Sequence, residues 1–574
     1  QTKTIEAIQN PNCGWFFTTF QKEFEKIPGS PFGYWASNRV LEVFKEKKLF
    51  NSKIESAGRT KTHHDLKYLR MIWEVSPTEE KWKLCHKGGE ARKWIGNQSY
   101  YIDWSNSAKS FYKSNGGLRN EKFNNRIGIT WGMISSGKIT YRIKQKNSEY
   151  LSMSPTITLS ENHINYFLGF LNSNVSDFLY SILDITLGNS VGNILKIPFI
   201  HCSTEEILID RKVSECLHIT KEEWDSRETS EEFKNSELLI NNLDLVEEAY
   251  SSFCQNWANQ FIQLHKNEVE LNRLFIEIYG LQEELISDVH PVEITLLKEE
   301  AKIENGKFTF QADKVFAQFI SYAVGCMFGR YSLHKEGLIL ANQGETLEDY
   351  LNAVTLSEAE VSFLPDYDNI IPVLDDEWFE DDITGRFYEF LKVSFGKENF
   401  EKNLAFVEDA LGKDIRKYFV KDFYPDHIRR YKKRPIYWMF SSPRGSFNVL
   451  IYLHRYTPDT LNQILNGYLK EYREKLNTHM EQLDHLVETG SSSEQTKAAK
   501  EKDKLRLVLL ELQEYERDTL YPLASERISI DLDDGVLVNY NKFGKAIKPV
   551  AGLNDAKTKE KVKGFDWIDT STII

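Results

Sequence analysis

The sequence predicts a multidomain α+β protein, and three observations carry that expectation. At 574 residues the chain is too long for one hydrophobic core. Its apolar content of 41%, with 12 Trp, 27 Tyr and 35 Phe, is that of folded material throughout. Its periodicity changes along the chain, from short alternating runs over 53–150 to apolar spacings of three and four beyond 221. The expected order is a connector (1–52), a mixed β-rich domain (53–220), a long helical spacer (221–290), an acidic mixed α/β domain (291–412) and an α-rich C-terminal domain with a helical hairpin (413–574). The first residue is Gln, so the chain is expected to be a piece of something longer.

In the connector, IPGSPFGYW (27–35) is a Pro/Gly turn followed by aromatics, and Ser37 or Asn38 can cap a helix carrying Val40, Leu41, Val43 and Phe44. The runs YYIDW (100–104), RIGITWGMI (126–134) and KITYRIK (138–144) read as strands between Gly, Asn and Ser. The stretch 161–183 after Ser160 reads as one apolar helix, and 187–199 as a turn before a short strand or helix. Leu243, Val246, Tyr250, Phe253, Trp257, Phe261 and Leu264 form a helical stripe. Leu271, Leu274, Phe275 and Ile278 extend it to a stop at Gly280. A core-facing stripe explains this pattern with no cofactor role. Farther on, PIYWMFSS (435–442) reads as a strand, and Leu461, Leu465, Leu469, Tyr472 and Leu476 mark a helix. Residues 488–504 read as partly loop before a second helix with Leu505, Val508, Leu509, Leu512 and Tyr515, and 531–544 reads as a strand or hairpin.

The net charge is −13, yet residues 53–149 hold 19 Lys/Arg against 9 Asp/Glu, a surplus of ten positive charges. Residues 340–412 hold 4 against 18, a deficit of fourteen. Screening removes effects beyond about 10 Å at 0.1 M salt, so a site feels its local charge. The six cysteines are scattered without a CxxC pair, so they read as reduced thiols, no metal site is expected, and a cytoplasmic location fits. The dipeptides Cys85-His86 and His201-Cys202 are too weak a signal to change this. No apolar run is long enough to span a membrane.

Most catalytic patterns fail. Gly132–Lys138 has the frame of a phosphate-binding loop, but Ile139 stands where Ser or Thr is needed, and the context is strand–turn–strand. DDEWFEDD (375–382) reads as a solvated acidic loop, and Asp531, Asp533 and Gly535 lack the later glutamate of a calcium loop. No nucleophile motif, glycine-rich nucleotide fingerprint or Asn-Pro-Pro-Tyr sequence is present, so no catalytic residue is assigned.

The strongest candidate for binding is KGGEARKWIGNQSYYIDW (87–104). It interleaves cations suited to phosphates with aromatics suited to bases, over glycines that leave the backbone bare. The candidate DNA-binding set is Arg59, Lys61, His63, Arg70, Lys87, Arg92, Lys93, Trp94, Asn97, Gln98, Tyr100, Arg126 and Arg142. A glycine-rich hairpin with surface charge is the plainer alternative for the 87–104 run.

Eight segments carry a family resemblance: IPGSPFGYW (27–35), HDLKYLRMIWEV (64–75), KGGEARKWIGN (87–97), RIGITWGMISS (126–136), FLGFLNS (167–173), VELNRLFIEIYGLQEEL (269–285), FGRYSLHKEGLILANQ (328–343) and RPIYWMFSSPRGSFNVLIYLHRY (434–456). With them the chain resembles the C-terminal portion of PglX (BrxX), the adenine-specific DNA methyltransferases of BREX phage-defence systems. The resemblance implies a target-recognition domain at 53–220, a helical spacer and a C-terminal domain. It places the methyltransferase domain, with its S-adenosylmethionine pocket, N-terminal to the matching region. No cofactor is therefore expected in this chain, and whether it takes part in an enzyme depends on that other domain. The implied partners are double-stranded DNA, the methyltransferase domain of the same protein and other BREX proteins. Asn97 and Gln98 would suit adenine edges, and Arg92 or Arg126 guanine edges. The alternatives are a scaffold docking other BREX components and the specificity half of a type IIG-like restriction–methylation protein.

Overall fold

The computed structural model describes residues 2–574 apart from 14–15, 17, 32, 34, 47–54, 57, 121–122, 124, 136, 160–162, 185–187 and 305–306. The architecture is α+β, with several small sheets and a long helical region. Helix α1 (Asn38–Glu46) buries Val40, Leu41, Val43 and Phe44, and the Ser37 hydroxyl accepts from the Val40 N–H at 3.3 Å.

The basic region is built from short strands: β1 (Glu55–Ser56), β2 (Leu69–Met71), β3 (Trp82–His86), β4 (Tyr100–Asp103), β5 (Gly128–Thr130), β6 (Arg142–Lys144), β7 (Glu149–Tyr150) and β8 (Thr156–Thr158). They pair in two sheets, β1-β8-β5-β6 and β2-β4-β3-β7, with antiparallel pairing except between β3 and β7. The three runs read as strands supply β4, β5 and β6. The Gly132–Lys138 frame joins antiparallel β5 to β6, which rules out a helix-opening phosphate loop.

Helix α2 (Asn106–Ser114) is an element the alternating pattern hides. The Ser105 hydroxyl caps it by accepting from the Ala108 N–H at 3.2 Å. Ala108 and Tyr112, four apart, pack on Tyr68, Leu69, Cys85 and Ile102.

The single apolar helix expected over 161–183 is two helices, α3 (Ile164–Leu171) and α4 (Asn174–Leu183). Ser173 breaks it by capping α4. Asn172 turns its amide to the Tyr141 backbone, with both hydrogen bonds at 3.0 Å. The cap expected at Ser160 lies outside the described residues.

Helix α5 (Glu206–Asp225) packs along α6 (Val246–Tyr279). At 34 residues α6 is about 50 Å long. Its buried face is the predicted stripe, but Asn267, Glu268 and Asn272 are buried in it too. Gly280 ends α6 in the left-handed conformation, and the Arg39 guanidinium donates to the terminal carbonyls of Tyr279 (2.8 Å) and Gly280 (3.2 Å).

Beyond 300, the hairpin β9 (Ala301–Glu304) and β10 (Lys307–Phe310) leads into the buried helix α7 (Ala312–Met327). Strands β11 (Ile370–Pro372), β12 (Tyr437–Ser441) and β13 (Asn448–Tyr452) form an antiparallel sheet in the order β11-β13-β12, with every residue of these strands in from solvent. The acidic run 375–382 is less solvated than expected: Asp382 is buried and pairs with Arg416 at 3.0 Å.

The hairpin of α8 (Lys470–Thr489) and α9 (Ser492–Tyr515) corrects the loop expected over 488–504. Only 490–491 separate the helices. The Ser491/Glu494 capping box starts α9, and the Lys/Glu/Ala run that follows is strongly helix-forming. The tail 531–544 is helical turns rather than a strand, because tertiary partners take its backbone donors. The Val536 N–H, for one, donates to Glu74 Oε2 at 2.8 Å.

Candidate nucleic-acid interface

The 87–104 run turns mostly inward. Lys87, at the end of β3, is half-buried. Its ammonium pairs with Asp65 at 2.8 Å and lies 5.1 Å from the Tyr100 ring. Arg92 is 2% exposed, donates from Nη1 to Glu223 Oε2 at 2.6 Å and lies 5.2 Å over the Trp224 ring. Lys93 Nζ and Trp94 Nε1 share the Glu268 carboxylate of α6, at 2.5 and 2.9 Å. The Tyr101 hydroxyl donates to Glu231 at 2.7 Å.

The glycines serve the same joint. A Cβ on Gly96 (φ +135°) would lie 2.7 Å from Arg92 Cδ and 3.3 Å from the Trp224 ring, and one on Gly89 would lie 2.6 Å from Asn97 Cγ. The bare backbone is covered by the protein's own side chains. Asn97 and Gln98 are buried, and Asn97 Nδ2 donates to the Glu90 carbonyl at 2.8 Å.

Electrostatics explain why cations are tolerated there. Burial raises the Glu223 carboxyl, but Arg227 and Arg92 outweigh it and hold it down at about 2. The run is therefore a charge-locked seam between the basic sheets and α5 and α6.

Two further candidates are interior. Arg70 Nε donates to the Asp533 carbonyl at 2.8 Å and Nη1 to those of Leu66 and Leu69, both at 2.8 Å. Trp82 Nε1 reaches Asp533 Oδ1 at 2.9 Å, and Lys81 pairs with the same side chain, so the calcium-loop echo at 531–535 is a docking point for the basic sheets. Arg142 on β6 is buried and donates to the Arg92 carbonyl at 3.2 Å; burial lowers its guanidinium to about 10. Seven candidates thus face protein: Arg70, Arg92, Lys93, Trp94, Asn97, Gln98 and Arg142. For these the structure replaces the expected surface position with an internal one.

The other candidates are at or near the surface. Arg59 and His63 are exposed, and Lys61, Tyr100 and Arg126 half-exposed, with the Arg126 guanidinium 5.6 Å over Phe123. The strip 58–63 lies beside the end of α2: the Lys61 N–H donates to the Gly117 carbonyl at 2.7 Å, and the His63 ring packs over Gly117. Here sequence reasoning missed Lys109 and Lys113. They stand four apart on α2, half-exposed and exposed, away from its packed Ala108 and Tyr112. Among the described residues Arg59, Lys61, Lys109 and Lys113 have no carboxylate partner. Phe111, 37% exposed and 5.2 Å from the Tyr68 ring, adds an aromatic surface. An i, i+4 lysine pair in a Ser-capped segment was the available signal. This strip can neutralise phosphates and present a ring; it holds no constellation for bond-breaking chemistry.

No protein-family model matches the chain. Among curated proteins it is 33% identical over 582 residues to the adenine-specific methyltransferase PglX of Lacticaseibacillus casei (strain Zhang), covering 94% of this chain and 46% of that protein. It is 32% identical over 580 residues to the adenine-specific methyltransferase BrxX of Escherichia coli O9:H4 (strain HS), covering 96% and 47%. The chain spans about half the length of these curated relatives.

Proposed function

We propose that this chain, a relative of the PglX/BrxX adenine-specific methyltransferases along nearly its whole length, is the part of such a protein that grips and reads DNA. An enzyme that flips adenine out of a duplex needs a partner surface to hold the backbone. The observation that supports this reading is Arg59, Lys61, Lys109 and Lys113, cations without carboxylate partners among the described residues, on the strip 58–63 and the helix α2 whose end it lies beside, with His63 packed over Gly117. Lys87, Tyr100 and Arg126 are the remaining candidates at or near the surface. On this reading methyl transfer, with its S-adenosylmethionine, belongs to a domain other than those of this chain. The buried seam sets the angle between the gripping strip and the long helix α6.

Four phosphate contacts give a salt slope near −3.6, so affinity for duplex DNA falls on the order of 100-fold between 50 and 200 mM salt. Fluorescence anisotropy on the intact chain measures this, and absence of binding at the lowest salt refutes it.

A second reading, docking of other proteins of a BREX system, is favoured by the α8–α9 hairpin, where Leu507 and Leu510 are 56% and 53% exposed. That reading expects partners that co-purify after nuclease treatment and are lost with Leu507→Asp/Leu510→Asp. No helix among the described residues is long and apolar enough to cross a membrane.

A further inference from the structure

Away from the seam and the basic strip, three segments distant in sequence bring two imidazoles and a carboxylate together. His163 sits in the turn ahead of α3, with its Nδ1 against Glu206 Oε1. His201 lies in the connection into α5, with its Nε2 3.1 Å from Glu206 Oε2. Glu206 is the first residue of α5. The ligand atoms of all three lie within 4.8 Å of one another. The two rings are 5.0 Å apart at 71°, so their nitrogens converge on the carboxylate rather than stacking.

The surroundings hold this arrangement in place. The Tyr166 hydroxyl accepts from the Cys202 N–H and donates to the Ile200 carbonyl, both at 3.1 Å, which brackets His201 on either side. The Tyr166 ring lies 5.1 Å from that of His201. One turn along α5, Asp210 buries Oδ1 without a hydrogen-bond partner. Burial first, then the Glu206 charge, raises its carboxyl. Two carboxylates thus lie near two imidazoles, and one carboxylate has a buried oxygen left unpartnered.

We propose that His163, His201 and Glu206 form a site for a divalent zinc-class metal ion. Two imidazole nitrogens and a carboxylate oxygen are a recurrent zinc donor set, with bonds of about 2.0–2.2 Å and a fourth position left to water. Tetrahedral ligands at that radius sit about 3.3 Å apart. His201 Nε2 already lies 3.1 Å from Glu206 Oε2, His163 Nδ1 lies nearer still to Oε1 and would back away, and no pair is more than 4.8 Å apart. His163 and His201 have the freedom to adjust, since their side chains are 46% and 36% exposed. The oxygen-only preference of calcium and magnesium excludes them. The ion would clamp the turn before α3 to the start of α5 and fix the 196–205 connection. No sequence motif announces the site, because its ligands are spaced 38 and 5 residues apart.

The test titrates Zn²⁺ by calorimetry, and Co²⁺ by its visible absorption, into the intact chain after chelator dialysis. One tight equivalent is expected, with a tetrahedral Co²⁺ spectrum and a higher melting temperature. His163→Ala/His201→Ala should weaken that equivalent at least about 100-fold. The chain has 13 His and six Cys, so binding elsewhere is the competing explanation. Equal stoichiometry and affinity in the double variant overturn the proposal, as does the absence of a tight equivalent in the unaltered chain. If the double variant fails to fold, Glu206→Gln, which keeps the side-chain shape, decides: an unchanged Co²⁺ spectrum overturns the site.

Discussion

Glu223→Ala is expected to destabilise the chain by about 3–5 kcal/mol, the cost of breaking a buried ion pair from one side. Glu223 accepts from Arg92 across the seam and from Arg227 just beyond the end of its own helix, and Arg227 also reaches Glu300 at 3.4 Å. Without the carboxylate, two guanidinium groups face each other away from water. The charge, more than the shape, is what matters, so Glu223→Gln should cost nearly as much. The pH dependence follows from the depressed carboxyl. Its folded value of about 2 lies below the ordinary 4.5, so its contribution is complete above about pH 4.5 and is lost as pH falls toward 2. Urea denaturation of the variants, and of the parent chain across that window, checks both. A cost below about 1 kcal/mol would mean that the seam does not hold the sheets to the helices. Arg92→Glu, which the sequence alone recommends as a probe of DNA binding, is expected to act through the same loss of folding.

Lys109→Glu/Lys113→Glu is expected to weaken duplex binding about 30–100-fold at low salt and to reduce the salt slope by about 2, with the fold intact. Both side chains leave the packed face of α2, so reversing them disturbs no buried contact. The loss should be nearly equal across DNA sequences, because phosphate contacts carry no base information. Lys500→Glu, on the exposed hairpin, supplies the control and should leave the slope unchanged. An unchanged slope in the double variant would move the interface off α2. Anisotropy at several salt concentrations, with circular dichroism to confirm folding, distinguishes these outcomes.

Much of the fold was legible because period and punctuation are local properties. The stripe from Val246 to Ile278 and its stop at Gly280 specify α6, and the alternation in YYIDW specifies β4. Caps were legible only where sought. Ser105, Ser173 and Ser491 each decide a boundary that apolar spacing misplaces or misses. The tail at 531–544 was not legible, since its conformation depends on Glu74, some 460 residues away.

By itself the sequence determined the α+β class, the long helix α6, the resemblance to PglX-type methyltransferases and the presence of a strongly basic segment. Only the tertiary structure decided where that charge is spent. Arg70, Arg92 and Lys93 look in sequence like a surface for an external polyanion, but Asp533, Glu223 and Glu268 anchor or neutralise them from within. The physical reason is that a cation's role depends on its distance to the nearest carboxylate, which folding fixes between residues hundreds of positions apart. Local pattern cannot encode that distance, so the proposed interface shifts from the aromatic-rich run to the plainer lysines of α2.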